Sequence, residues 1–313
     1  MIVTLTANPS VDRTVEVARL RPGGVMRALS ARVDAGGKGV NVARALAANE
    51  HKAVAVLPSG GAEGVQLVAL LGQNGLDIVA VPVANAVRAN VTIVEPGGTT
   101  TKINEPGPRL RRAEAQALAE ATLETARGAD WAVLCGSLPP GIPDDFYADL
   151  VRRLHAAGTR VAVDTSGPAL VATLAAGPDL VKPNRDELAE AAGCQIDTLG
   201  DVARAGRALL TAGAGTVLAS LGPDGAMLIT GDGCWLGTGP VREPRSTVGA
   251  GDALLAGFLG AGAQGPDALV DALAYGIAAI GLPGSRMPEP ADLDRDAVHV
   301  HSGFDPDKPL TER

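Results

Sequence analysis

From about residue 110 to residue 280, short apolar runs alternate with helical patterns, and this alternation restricts the chain to a layered α/β fold. Residues 111–126 read as a helix and Trp131-Ala132-Val133-Leu134 as a buried strand. Residues 144–157 are helical again, and Arg160-Val161-Ala162-Val163-Asp164 is the next strand. A short strand precedes Lys182, helices follow near 185–191 and 199–211, and strands at 216–219, 225–230 and 233–237. Helices near 251–262 and 266–280 end the core. Strands this short and apolar have no polar face, so they predict a mainly parallel sheet covered by helices on both sides.

The first hundred residues differ. Strands 2–6 and 53–57 flank a helix near 38–48 in the same layered pattern. Extra extended segments at 14–18, 25–33, 88–95 and 99–104 interrupt it, the last two as a hairpin around Pro96-Gly97-Gly98. These four predict a small separate sheet that can act as a lid. The chain shows no linker, repeat or low-complexity block. We therefore expect one domain over 1–300, with lid segments about 12–33 and 88–106, and a polar, loosely ordered tail over 301–313.

Composition narrows the function. Net charge is −8 and aromatics are 2% of 313 residues, which argues against a nucleic-acid surface. An acidic protein that binds phosphorylated substrates must gather cations locally, so each Arg or Lys near glycines gains interest. Cys135, Cys194 and Cys234 match no metal or disulfide spacing and read as free thiols. His299 and His301 read as surface histidines. Met1-Ile2-Val3-Thr4-Leu5-Thr6 begins as a strand rather than a signal peptide, and no apolar run reaches the ~18 residues of a membrane span. The expectation is a cytoplasmic protein with no membrane partner.

Ser246-Thr247-Val248-Gly249-Ala250-Gly251-Asp252 runs directly into an apolar helix. Glycines let successive N–H groups turn toward one point, and a helix start adds unpaired N–H groups and a positive dipole end. Such an anion hole stabilises charge on a transferring phosphoryl group, and a carboxylate at its rim can take a proton from an attacking hydroxyl. The structural alternative is a helix start with Asp252 in its first turn. Ala35-Gly36-Gly37-Lys38-Gly39-Val40-Asn41 is a second glycine-rich turn into a helix. It is not a Walker loop, but Lys38 and Asn41 offer donors to phosphate and hydroxyl oxygens.

Other candidates stand where strands end. Asp12 follows the first strand, where a carboxylate can accept from sugar hydroxyls or cap a turn. Arg88, Lys102 and Asn104 lie on the lid, with Arg27 on an earlier lid segment; Arg88, Lys102 and Arg27 read as cations over one anion or as solvated strand edges. Ser137, in Gly136-Ser137-Leu138-Pro139-Pro140-Gly141, can bond substrate or cap the loop. In Lys182-Pro183-Asn184-Arg185-Asp186-Glu187 the Asn184–Glu187 spacing is that of a capping box. The other reading is that the pair organises hydrated Mg²⁺ near ATP phosphates. Glycines in Ser220-Leu221-Gly222-Pro223-Asp224-Gly225 can let a nucleotide lie against the backbone.

Taken in order, Asn-Pro-x-x-Asp, Gly-Gly-Lys-Gly-x-Asn-x-Ala, Gly-Ser-Leu-Pro, Lys-Pro-Asn-x-x-Glu and Gly-Ala-Gly-Asp cover about residues 1–290. This set resembles the ribokinase-like (phosphofructokinase B) carbohydrate kinases, in their 1-phosphofructokinase and tagatose-6-phosphate kinase branch. The resemblance implies a three-layer α/β/α, ribokinase-like domain with a mainly parallel central sheet and a β-sheet lid, dimeric through the lids. It implies Asp252 as base, with Gly249, Ala250 and Gly251 as anion hole. Asp12, Gly37, Asn41 and Ser137 match sugar positions, while Lys38, Arg88 and Lys102, with Arg27 helping, match positions near the substrate phosphate. Asn184 and Glu187 match the Mg–phosphate motif, Glu187 acting through water. Lys182, Ser220, Gly222 and Gly225 line the nucleotide side. Two segments depart from the pattern: Arg242-Glu243-Pro244-Arg245 is more charged, and residues 275–285 are a loose version of the adenine side, so no adenine contact is assigned.

The expected activity is ATP- and Mg²⁺-dependent phosphorylation of a phosphosugar, foremost fructose 1-phosphate to fructose 1,6-bisphosphate. The alternatives are a tagatose-6-phosphate or fructose-6-phosphate kinase and, in another class, a non-catalytic sugar-phosphate or nucleotide sensor. An intact Asp252 beside its glycines argues against the sensor, which needs no base.

Overall fold

The structure is a computed structural model that describes every residue except 74, 97, 98, 312 and 313. The chain begins with β1 (Ile2–Thr6), β2 (Ser10–Val17), β3 (Ala28–Gly36), α1 (Lys38–Ala48), β4 (Ala53–Ser59), α2 (Gly61–Gly72) and β5 (Asp77–Pro82). It continues through β6 (Arg88–Val94), β7 (Thr100–Ile103), α3 (Arg112–Thr125), β8 (Trp131–Cys135), α4 (Phe146–Ala156), β9 (Arg160–Asp164), α5 (Gly167–Leu174) and β10 (Leu180–Val181). It ends with α6 (Arg185–Ala192), α7 (Leu199–Thr211), β11 (Val217–Ser220), β12 (Ala226–Thr230), β13 (Gly233–Thr238), α8 (Ala250–Gly260), α9 (Gly265–Ile280) and β14 (His299–His301).

Ten strands form one sheet in the order β14-β13-β12-β11-β10-β9-β8-β1-β4-β5. From β5 to β11 neighbours run parallel; β12, β13 and β14 add an antiparallel end. β1 is wholly buried because both its faces meet a core. Ile2 belongs to the core formed with α1, α2, α8 and α9, while Val3 and Leu5 belong to the core formed with α3, α4, α5, α6 and α7. This is the three-layer α/β/α architecture expected. α2, β5 and β14 are additions that the sequence reading did not place.

The four lid segments form their own sheet in the order β3-β2-β6-β7. The expected β6–β7 turn at Pro96-Gly97-Gly98 falls partly outside the described residues. Cross-strand rows Ser10–Arg88, Asp12–Asn90 and Thr14–Thr92–Lys102 share one face. The other face carries Val15, Val33, Val91, Ile93 and Ile103.

The tail corrects its expectation of loose order. Leu310 is buried and its N–H donates to Asp197 O at 2.8 Å, while Thr311 N and Oγ1 donate to the two Asp224 carboxylate oxygens. His299 and His301 stand exposed on the edge strand β14. Among the described residues no helix is long and apolar enough to cross a membrane.

Candidate active site

The carboxyl ends of β1, β8, β9 and β10 converge on the starts of α1, α6 and α8, as expected for ligand sites in open parallel sheets. Gly249 caps α8 with φ 79, a left-handed conformation that suits glycine, and no side chain caps the helix start. The Ala250 N–H reaches back only to Thr247 O, at 3.4 Å, and among the described residues no side chain takes the other first-turn N–H groups, the geometry of an anion hole. A Cβ on Gly251 would lie 3.4 Å from Lys182 Nζ, so Lys182 reaches the hole itself.

Asp252 sits in that first turn, 8% exposed, and accepts from Asn41 Nδ2 at 2.8 Å. Burial pushes its carboxyl up to about 6; the nearby Asp164 charge adds to this, and Asn41, Lys182 and Lys38 oppose it. Asp164 ends β9, is fully buried, and lies between two lysines. Lys38 Nζ donates to its Oδ1 at 2.7 Å, and Lys182 Nζ is 3.1 Å from its Oδ2. Burial disfavours the Asp164 charge, but Lys182 and Lys38 outweigh it and hold the carboxyl below its ordinary value. Burial likewise works against the Lys38 ammonium, and Asp164 and Glu187 more than offset it, so its pKa is raised.

Asn184 and Glu187 do form a capping box: Asn184 Oδ1 accepts from Glu187 N, and Glu187 Oε2 accepts from Asn184 N, both at 2.9 Å. Glu187 Oε1 remains directed at Lys38 Nζ, 3.1 Å away. One carboxylate edge beside a lysine and the anion hole fits an ion that keeps its waters and takes phosphate oxygens as ligands. Among the described residues no cluster of three or more His, Cys, Asp or Glu groups could cage a bare cation.

The lid meets this floor through Asp12. Its Oδ1 accepts from Ser10 Oγ at 2.6 Å and from Asn90 Nδ2 at 2.9 Å. A Cβ on Gly36 would come within 2.3 Å of Asp12 Oδ2, so any larger residue there would displace the Asp12 carboxylate. Gly37 caps α1 at φ 125, against Thr6. Ser137 Oγ accepts from Asn8 Nδ2 at 3.3 Å, at the ends of β8 and β1.

The four expected substrate-side cations differ in what they meet. Arg88 donates to the carbonyls of Asn8 and Glu105, both at 3.0 Å, and so pins the lid base to the core. Lys102 and Asn104 are exposed on or just beyond β7, on the face that carries Asp12. Arg27 is exposed in the turn before β3. Lys38 turns to Asp164 and Glu187, between the sugar and nucleotide sides.

On the far side of the anion hole lies a cleft of about 610 Å³. Asn184, Ser220, Gly222 and Gly225, expected on the nucleotide side, line it together with Gly251 of the anion hole, while the expected Lys182 is not among its lining residues. Gly225 has φ 91, and a Cβ there would meet Gly237 O at 2.0 Å. The sequence reading missed the apolar wall of Leu254, Leu273, Ile277 and Ile280, and the tail residue Thr311. It also missed Asp164 and Asn90. The signal available for Asp164 was its place at the carboxyl end of a central strand.

A buried carboxylate at a glycine-formed anion hole, between a polar lid and an apolar cleft, defines an enzyme that transfers a phosphoryl group to a hydroxyl. Residues 5–290 match the profile of the pfkB family carbohydrate kinases, and the chain belongs to that family. It is 42% identical over 298 residues to a 1-phosphofructokinase of Rhodobacter capsulatus, covering 93% of this chain and 94% of the relative. It is 37% identical to the ATP-dependent 6-phosphofructokinase isozyme 2 of Escherichia coli, covering 81% and 83%. The crystal structure of Escherichia coli phosphofructokinase-2 in complex with potassium superposes with a TM-score of 0.88 at 35% identity, covering 93% and 96%.

Proposed function

We propose that this chain phosphorylates fructose 1-phosphate to fructose 1,6-bisphosphate at the expense of Mg²⁺-ATP. What carries the reading is the 42% identity, over nearly the whole chain, to a protein named 1-phosphofructokinase. Asp252 is the base: it takes the proton of the sugar hydroxyl as that oxygen attacks the γ-phosphorus and the bond to the bridging oxygen breaks, releasing ADP. The N–H groups of Gly249, Ala250 and Gly251, with Lys182, stabilise charge on the transferring group. Asp12 and Asn41 orient the sugar, with Gly37 and Ser137 beside them, while Lys102 draws its phosphate under the lid. ATP lies along Ser220, Gly222 and Gly225 with its base against the apolar wall. Asn184 and Glu187 would hold Mg²⁺ through water, and the ion would supply neutralisation of phosphate charge.

The lids pair in a homodimer, since the apolar face opposite Asp12 exposes Ile103 (56%) and Leu29 (62%). The protein is cytoplasmic in this reading. Release of ADP, measured with a panel of phosphosugars and free sugars, tests the substrate. Preference for fructose 6-phosphate or tagatose 6-phosphate would replace fructose 1-phosphate, and no turnover with any sugar would favour a sensor.

A further inference from the structure

Asn41 and Arg44 are three residues apart on α1 and so share a helix face. Arg44 Nη1 donates to Asn41 Oδ1 at 3.4 Å, and Asn41 Nδ2 donates to Asp252 Oδ2 at 2.8 Å. A guanidinium has no acceptor and a carboxylate no donor, whereas a carboxamide presents a different group at each end. Between these two neighbours Asn41 has one satisfied orientation. Turned over, it would set its oxygen against the Asp252 carboxylate and its amino group against the guanidinium, two mismatches at once.

We propose that Arg44 is a positioning residue that fixes which end of the Asn41 carboxamide meets Asp252, and so keeps Asp252 an ionised acceptor. The proposal rests on the reading of Asp252 as base. Arg44 is itself held in place. It is half-buried, and burial pushes its guanidinium below its ordinary value while the Asp34 carboxylate on β3 opposes the shift. Asp34 is in turn paired with Arg32 Nε at 3.0 Å. On its outer side Arg44 borders a cavity of about 530 Å³, shared with Arg286, Met287 and Glu289. The path from Asp34 through Arg44 and Asn41 to Asp252 thus begins on a lid strand and ends at the base.

The charged and titratable groups facing Asp252 are Asp164 at the end of β9, Lys182 after β10, Lys38 on α1 and Cys135 at the end of β8. Arg44 acts on Asp252 through none of these but through Asn41. Losing that constraint lets the carboxamide turn over, which favours the protonated carboxyl.

The test is the pH profile of kcat for Arg44→Met, which keeps the apolar stem. The acid limb should move up by about 1–2 pH units, the worth of one charge-assisted hydrogen bond, with the rate recovering at alkaline pH. In an Asn41→Leu background the same substitution should add no further shift. A rate lowered equally at every pH, or a shift that persists without the carboxamide, overturns the proposal. If Arg44→Met does not fold, Arg44→Gln carries the test, because its amide can accept as well as donate and no longer dictates the orientation. An unmoved limb in that variant also overturns it. Asp252→Asn separates the two readings: near-normal turnover there removes the base itself, whereas loss of turnover with an unmoved limb removes only the role of Arg44.

Discussion

At the scale of single residues, Asp252 combines a buried position with one oriented hydrogen-bond donor, Asn41. Asp252→Asn should lower kcat about 10²–10⁴-fold while leaving phosphosugar affinity near that of the parent, because a general base acts mainly as the proton leaves. Equilibrium binding measured beside turnover checks both halves. Since burial raises the Asp252 carboxyl to about 6 and only the ionised form accepts a proton, kcat should fall as pH drops through that value. A flat profile from pH 5 to 8 would remove Asp252 from the rate equation. Lys102→Ala should raise KM for the phosphosugar by roughly 10–100-fold, the worth of one charge-assisted hydrogen bond, with little change for ATP. An equal effect on both would put Lys102 on the wrong ligand. Most floor residues were legible because glycine and carboxylate stand beside each other in the chain. Asp164 was not, since a lone aspartate at a strand end has no local pattern; its two lysine partners, Lys38 and Lys182, lie far away in sequence.

At the scale of elements, α1, α6 and α8 are held at their starts by Gly37, Asn184 and Gly249. Each start was readable from its cap chemistry, and the two glycine starts open toward the site. The lid was readable from alternation, but the purpose of Arg88 was not. Residue type announces a cation, and only the fold shows its two terminal nitrogens on main-chain carbonyls with Nε buried and without a partner among the described residues. The tail escaped notice because Phe304 and Leu310 are single apolar anchors in a polar stretch, too sparse to form a period. Its last described residue, Thr311, bonds Asp224 and borders the 610 Å³ cleft. Removal of residues 304–313 should therefore raise KM for ATP more than KM for the sugar. Steady-state kinetics on the shortened chain decides it: unchanged ATP kinetics would show that the tail packs beside the nucleotide without serving it.

At the scale of the molecule, the lid face opposite Asp12 buries Val11 and Ala35 in the core but leaves Leu29 and Ile103 exposed, an apolar edge that a second lid would cover. Light scattering over a dilution series, with activity followed in parallel, should show dimer and activity lost together. A fully active monomer would show that the lid needs no partner. The large sheet carries a different consequence. β1 lies between β4 and β8, pairing Ile2 with Ala53 on one side and with Trp131 on the other. On the ribosome its first partner follows soon, but its second emerges only roughly 75 residues later. At a synthesis rate of about 5–20 residues per second, the middle seam of the protein stays open for roughly 4–15 s. During that interval the nascent chain presents a bare, apolar strand edge, and the order of translation rather than the final packing decides how long it must be shielded.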